Sequence, residues 1–205
     1  FADFFRRYRL PLALVTLAFI LVFKIPEQAT IGGVMSPFYR DMGFSLTAIG
    51  SITKIYGVAV GIAGVFVGGA AVARFGVWPS LLTGIIVCGG SNLLYLLLMA
   101  HPGSLVTLTA VISGENFTLG FLGPPTVAFL SSLVNREHTA TQYALLASLV
   151  NLPGKVLGFF AGAIVATSGY ALFFVITVLA ILPAVILCLW LWPQFRRLES
   201  GRPAA

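Results

Sequence analysis

Five ionisable side chains of this 205-residue sequence lie inside long apolar stretches: Lys24, Glu27, Lys54, Glu115 and Lys155. A charge in the hydrocarbon core of a bilayer costs at least about 2.5–3.5 kcal/mol on insertion scales, so such residues usually mark a functional site. Ammonium groups attract carboxylates, and a carboxyl group in a low-dielectric medium can take up and release a proton. These residue types therefore point to anion binding and proton movement inside a membrane.

The five residues are expected at similar depth on four different helices. Counting 1.5 Å per helical residue from the outer helix ends places them roughly 12–20 Å below the outer surface. We therefore expect the first, second, fourth and fifth helices to surround a polar cavity. Three cations against two acids leave an excess positive charge, which an anionic ligand or a mobile proton would compensate.

The expected substrate-binding residues are three lysines and two asparagines: Lys24, Lys54, Lys155, Asn116 and Asn151. Glu27 or Glu115 is the expected proton carrier. The alternative is structural. Lys24 and Glu27, at i and i+3, and Lys155 with Glu115 would then be ion pairs that hold the helices together, with the asparagines bonding between helices.

The composition excludes most water-soluble classes. The sequence is 59% hydrophobic and 9% charged, with a mean hydropathy of +1.01, which is typical of an integral helical membrane protein. The net charge of +6 does not indicate nucleic acid binding, because the basic residues form no continuous patch. Cys88 and Cys188 lie in apolar runs without metal-ligand spacing, which favours small core residues.

The apolar stretches predict an all-α, polytopic membrane protein with six transmembrane helices, at about residues 10–37, 46–73, 80–100, 105–134, 142–167 and 170–192. A cytoplasmic lead-in, 1–9, and a cytoplasmic tail, 193–205, flank this bundle of residues 10–192. Pro26 predicts a kink in the first span, and Gly123-Pro124-Pro125 predicts a break in the fourth.

Arginine counts predict the orientation. The two ends and the loops on their side hold eight arginines: Arg6, Arg7, Arg9, Arg74, Arg136, Arg196, Arg197 and Arg202. The opposite side holds Arg40 alone. By the positive-inside rule both termini are expected in the cytoplasm.

Glycines recur at helical spacing in two spans. The second span has Gly57, Gly61, Gly64 and Gly68, and the fifth has Gly154, Gly158 and Gly162. Such stripes predict close helix contact, either as static packing or as surfaces that slide during transport.

Several phrases resemble one half of a major facilitator superfamily transporter. GAAVARFG at 69–76 follows the family loop pattern Gly-x-x-x-Asp-Arg-x-Gly, with Ala73 in the place of the acid and with Arg74 and Gly76 as candidate gating-loop residues. More specific phrases are FKIPE at 23–27, PFYRDMGFS at 37–45, EN at 115–116 and TATQYALL at 139–146. Together they look like the C-terminal half of the AmpG-like muropeptide permeases, a group related to acetyl-coenzyme A transporters.

The resemblance implies a secondary active transporter, a symporter that imports anhydro-muropeptides for peptidoglycan recycling across the bacterial inner membrane. It also implies no cofactor, the proton gradient as the energy source, an anionic solute and the lipid bilayer as partners, and a preceding six-helix half of the same protein. An acyl-CoA or another anionic solute is an alternative substrate.

Two rival functions come from other classes. An intramembrane enzyme is not expected, because no Asp lies in a span and both histidines lie in loops, so a catalytic dyad or metal cluster is absent from the sequence pattern. A non-transporting membrane assembly subunit would use the buried charges only for structure. A dry, packed interior would favour it.

Overall fold

The computed structural model describes residues 10–31, 33–134 and 139–199. Every regular element within these ranges is a helix, so the all-α prediction is confirmed. Some predictions concern residues outside these ranges: the lead-in 1–9, Arg136, His138 and Arg202. Because five of the eight counted arginines lie there, the orientation stays a prediction.

The described part contains nine α-helices and one π-helical segment. They are α1 Leu10–Val22, α2 Ile25–Ile31, α3 Met35–Asp41, α4 Leu46–Ser51, the π-helical segment Ile52–Tyr56, α5 Gly57–Phe75, α6 Val77–Ala100, α7 Leu105–Leu133, α8 Thr139–Leu179 and α9 Ile181–Glu199.

These elements form six spans. The first is α1 to α3, the second is α4 to α5, and the third and fourth are α6 and α7. Gly169, with φ 76° and ψ 168°, divides α8 into the fifth span and the start of the sixth, where the sequence predicts a turn. The sixth span then continues through α9 to Glu199, so the helix extends into the predicted polar tail.

The prolines of the first and fourth spans affect their helices differently. The kink in the first span is confirmed, because α1 ends at Val22 and α2 begins only at Ile25. The break at Gly123-Pro124-Pro125 is wrong, since α7 continues through both prolines. Pro125 removes the helical donor to the Phe121 carbonyl, but that carbonyl lies directly against Gly68 of α5, and a neighbouring helix can accommodate such a group.

The glycines of α5 allow it to pack closely against α7. A Cβ atom at Gly64 would overlap the Phe117 carbonyl, and one at Gly120 of α7 would overlap the Gly61 carbonyl. The predicted close contact is therefore confirmed for the second span. It holds only in part for the fifth span, where Gly154 meets Gln28 but Gly158 and Gly162 face open space.

Two buried aromatic clusters hold the ends of the first span. Phe19 of α1 lies 5.5 Å from Phe129 and 6.1 Å from Trp78, measured between ring centroids. Toward the other end of the span, Phe38 of α3 lies 4.9 Å from Phe174 and 5.9 Å from Tyr95. Between these clusters, the short α2 segment packs against α8 and carries the polar residues described below.

We expect Gly64→Ala to destabilise the full-length protein by about 1–3 kcal/mol, because the added methyl group forces α5 away from the α7 backbone. Gly69→Ala is the matched control, since no atom of a neighbouring element among the described residues lies within 4 Å of its Cβ position. The control should be neutral or stabilising by up to about 1 kcal/mol through helix propensity. Denaturant titration in detergent micelles measures both, and equal stabilities would contradict the close contact.

Candidate functional site

A cavity of about 560 Å³ lies between the α2 region and α8. Its polar lining comes from Lys24, Glu27 and Gln28 on one side and from Asn151 and Lys155 on the other. Leu119 of α7 and three glycines complete the lining. Two lysines and one glutamate line it, so the described walls carry an excess positive charge.

Lys24 and Glu27 form an ion pair within the first span. Lys24 Nζ lies 3.1 Å from Glu27 Oε1, and the two side chains are only 13% and 7% exposed. The break before Ile25 places this pair at the cavity wall, where the i, i+3 spacing brings both groups to one face. The pair was predicted, and its mutual attraction offsets part of the cost of burying each charge.

Asn92 of α6 supports the break in the first span. Its side-chain amide, on a residue that is 4% exposed, donates to the Pro26 carbonyl at 3.3 Å and to the Thr177 hydroxyl at 3.2 Å. Three spans therefore meet at the carbonyl beside the ion pair. Sequence reasoning missed this residue, although an asparagine inside an apolar helix is a signal for a bond between helices.

Gln28 and Asn151 join the two walls of the cavity. Gln28 Nε2 donates to Asn151 Oδ1 at 2.6 Å, and the Asn151 amide donates to the Ala147 carbonyl at 2.8 Å. The Gln28 side chain packs directly on Gly154, which explains the small residue there. Lys155 lies one turn after Asn151 and stays exposed in the cavity. The sequence analysis did not select Gln28, although it directly follows Glu27.

Two predicted binding residues do not line this cavity. Lys54 lies in the π-helical segment and is exposed. Asn116 donates to the Ile112 carbonyl of its own helix at 2.9 Å and lies against Gly57. The expectation of one cavity shared by four helices is thus corrected: its polar lining comes from the first and fifth spans, because the glycine contact between α5 and α7 closes the space beside Asn116.

Glu115 belongs to a second polar cluster. Tyr39 of α3 donates from its hydroxyl to Glu115 Oε2 at 3.4 Å. Tyr95 of α6 is 1% exposed, and its hydroxyl lies beside both groups without a hydrogen bond of good geometry among the described residues. No described lysine or arginine forms an ion pair with Glu115, so the alternative pairing with Lys155 is wrong. Neither tyrosine was selected from the sequence.

The candidate gating loop is reduced to a single connecting residue. Gly76, with φ 87°, joins α5 directly to α6. Arg74 lies exposed in the last turn of α5, with its guanidinium carbon 5.6 Å from the centroid of the Phe75 ring. No carboxylate of the described residues pairs with Arg74, in keeping with Ala73 at the position where the family pattern has an acid.

Comparisons with known proteins agree on one family. The sequence profile of the Major Facilitator Superfamily matches residues 12–204. The AmpG 4 protein of Rickettsia conorii is 32% identical over 191 residues, which are 93% of this chain and 45% of that protein. The anhydromuropeptide permease of Escherichia coli (strain K12) is 30% identical over 187 residues, 91% of this chain and 38% of the permease. The chain thus spans less than half the length of these relatives.

A double-mutant cycle tests the ion pair. Lys24→Met in the full-length protein should cost about 3–5 kcal/mol of stability, because it removes the cation that faces a buried carboxylate. The double variant Lys24→Met/Glu27→Leu should recover a large part of this loss. Lys155→Met, at a lining lysine with no ion pair among the described residues, is the control and should cost less than about 1 kcal/mol. Additive losses from the two substitutions would contradict the coupling.

Proposed function

We propose that this chain, which belongs to the Major Facilitator Superfamily, forms half of a symporter that imports anhydro-muropeptides with protons across a bacterial inner membrane. Five apolar helical stretches of the described residues are long enough to cross a membrane, and Gly169 divides the last of them into the fifth and sixth spans. Together with the family match, they support a transporter rather than an enzyme. The solute is inferred from the resemblance and from the name of the E. coli relative. Alternating access needs two bundles that rock about a shared site, so a second six-helix half is the proposed partner.

The excess positive charge of the cavity carries the proposal. Lys155 is exposed within it, and Asn151 lies one turn away, so an ammonium group and an amide face the same space. Carboxylates on the peptide of a muropeptide would bind the ammonium group through charge-assisted hydrogen bonds. The cavity volume of about 560 Å³ is within the range of small-molecule sites and argues against a dry assembly subunit.

Lys54 and Asn116 would contact the solute only after a movement of the second span. Lys54 lies in the middle of the π-helical segment, a conformation that is frequent at functional sites because it loosens the regular helix. A shift of this span would move Lys54 and would uncover Asn116 of α7, which now lies against Gly57. Arg74 and Gly76 would act at its other end, where the single-residue link transmits motion from α5 to α6.

Glu115 is the proposed proton carrier. Its carboxyl group is partly buried and has tyrosine hydroxyls, rather than a cation, as its described neighbours. A hydroxyl can donate to the carboxylate or accept from the carboxylic acid, so Tyr39 and Tyr95 suit both protonation states.

Glu27 offers a second route to coupling. Its carboxylate holds Lys24 at 3.1 Å, so Lys24 is engaged while Glu27 is charged. A proton on Glu27 would release Lys24 to bind a solute carboxylate, and solute binding would then favour proton binding by linkage. The two glutamates therefore differ in the effect expected from their neutralisation.

Lys155→Gln should weaken binding of a radiolabelled anhydro-muropeptide to the full-length protein by about tenfold or more, the value of a hydrogen bond to a charged group. Lys155→Arg should retain most of the affinity, and Arg196→Gln, on an exposed cation outside the cavity, should bind normally. Unchanged binding by Lys155→Gln would contradict the site. Competition by coenzyme A esters instead of muropeptides would favour an acyl-CoA as the solute.

Glu115→Gln should uncouple uptake from the proton gradient, because the amide cannot carry a proton. Uptake of the same muropeptide into vesicles, with and without an imposed pH gradient, measures this. Glu27→Gln should instead strengthen solute binding at neutral or higher pH, since Lys24 becomes free. Gradient-driven uptake that is unchanged in Glu115→Gln would remove Glu115 from the mechanism, and loss of coupling only in Glu27→Gln would assign the proton to Glu27.

A further inference from the structure

We propose that Arg40 forms an outer capture site for carboxylate-bearing solutes, connected to the lysine-lined cavity by a groove between the first span and α8. The inference rests on the proposed transport of an anionic solute. It adds a binding residue outside the cavity and a route of approach to that cavity.

Three neighbouring cavities form the groove. The lysine-lined cavity shares Gly33 and Gly158 with a second cavity of about 450 Å³. That cavity shares Pro37 with a third of about 440 Å³, whose lining includes Arg40 and Asp41. Lys24 and Arg40 are sixteen positions apart, a distance of about 24 Å if the segment were fully helical, so the groove leads from the Lys24–Glu27 pair to the end of the first span.

At the end of the groove away from Lys155, the guanidinium group of Arg40 is available to bind an anion. Asp41 is the adjacent acid, but Tyr170 donates its hydroxyl to Asp41 Oδ2 at 2.8 Å. No described carboxylate lies within ion-pair distance of Arg40, which is exposed at the end of α3. Tyr170 also lines the second cavity, so one side chain both forms its wall and holds the acid. The end of the groove therefore presents a guanidinium group, which suits bidentate binding of a carboxylate.

Glycines keep the middle of the groove open. Gly33, Gly158 and Gly162 line it, and within the described part of the chain no atom of a neighbouring element lies within 4 Å of a Cβ position built on any of them. Larger side chains could therefore be placed there without a clash in this structure. The small residues are not required by packing at these positions, and the proposed route between the two cationic ends depends on their lack of side chains.

The test measures initial uptake rates by the full-length protein in vesicles. The probes are an anhydro-muropeptide with free peptide carboxylates and the same compound with its carboxylates amidated. Arg40→Gln should raise KM for the charged probe about two- to fivefold at low salt, with little change in the maximal rate, since one exposed charge contact is lost. The difference should shrink at high salt, and Arg40→Lys should be intermediate. Arg196→Gln is the control for loss of an exposed arginine elsewhere.

The possible outcomes distinguish failure of the proposed transport function from failure of the Arg40 capture site. Absence of muropeptide uptake by the wild-type protein would contradict the proposed function itself. Normal uptake with an unchanged KM in Arg40→Gln would overturn the capture site alone. A rate that falls equally for the charged and the amidated probe would assign Arg40 to folding or to lipid anchoring, and would also overturn the capture site.

A second variant tests the groove without altering charge. Gly162→Leu should sharply reduce uptake of the muropeptide, because the added side chain fills the middle of the groove, where no neighbouring element of the described chain comes within 4 Å of the Gly162 Cβ position. Gly90→Leu is the matched control, since its Cβ position is equally open and it lines none of the three cavities. Wild-type uptake by Gly162→Leu would show that the solute does not use this route.

Discussion

Hydrocarbon offers no water to a charge or an unpaired peptide group, and this constraint explains the arrangement around Lys24 and Glu27. The ion pair, at 3.1 Å, keeps each charge from being buried alone. Pro26 interrupts the helix at the same place, and Asn92 donates to its carbonyl from a neighbouring span. A polar break in a transmembrane helix is tolerated where neighbouring helices hydrogen-bond its groups, as Asn92 does for the Pro26 carbonyl.

Packing at the two ends of the first span holds this break in position. Phe19 and Phe38 are each fully buried in an aromatic cluster, one before the break and one after it. The contact of α5 with α7 differs, because it depends on glycines that let the backbones approach, and van der Waals packing is the main force between helices in lipid. Large aromatic side chains thus hold the first span in place, whereas the second span is held by close backbone contact at its glycines.

Sequence periodicity and composition were sufficient for the six spans, the kink at Pro26 and the Lys24–Glu27 pair, because these depend on local spacing. The common cavity was not predictable in the same way. Glu115 lies in the fourth span as expected, but its side chain faces Tyr39 rather than Lys155. The continuous α7 shows the same limit: whether Pro125 breaks a helix depends on what covers the Phe121 carbonyl, and that is Gly68 from another span.

The described acids and bases along the groove are partnered differently. Each of the three acids with a described side chain is engaged: Glu27 by Lys24, Asp41 by Tyr170 and Glu115 by Tyr39. Arg40 and Lys155, at opposite ends of the groove, have no ion pair among the described residues. Tyrosine is a suitable partner for the acids, because it satisfies a carboxylate without adding a cation. The groove therefore offers an anion two cationic side chains without an ion pair, while each of these carboxylates already has a hydrogen-bond or ion-pair partner.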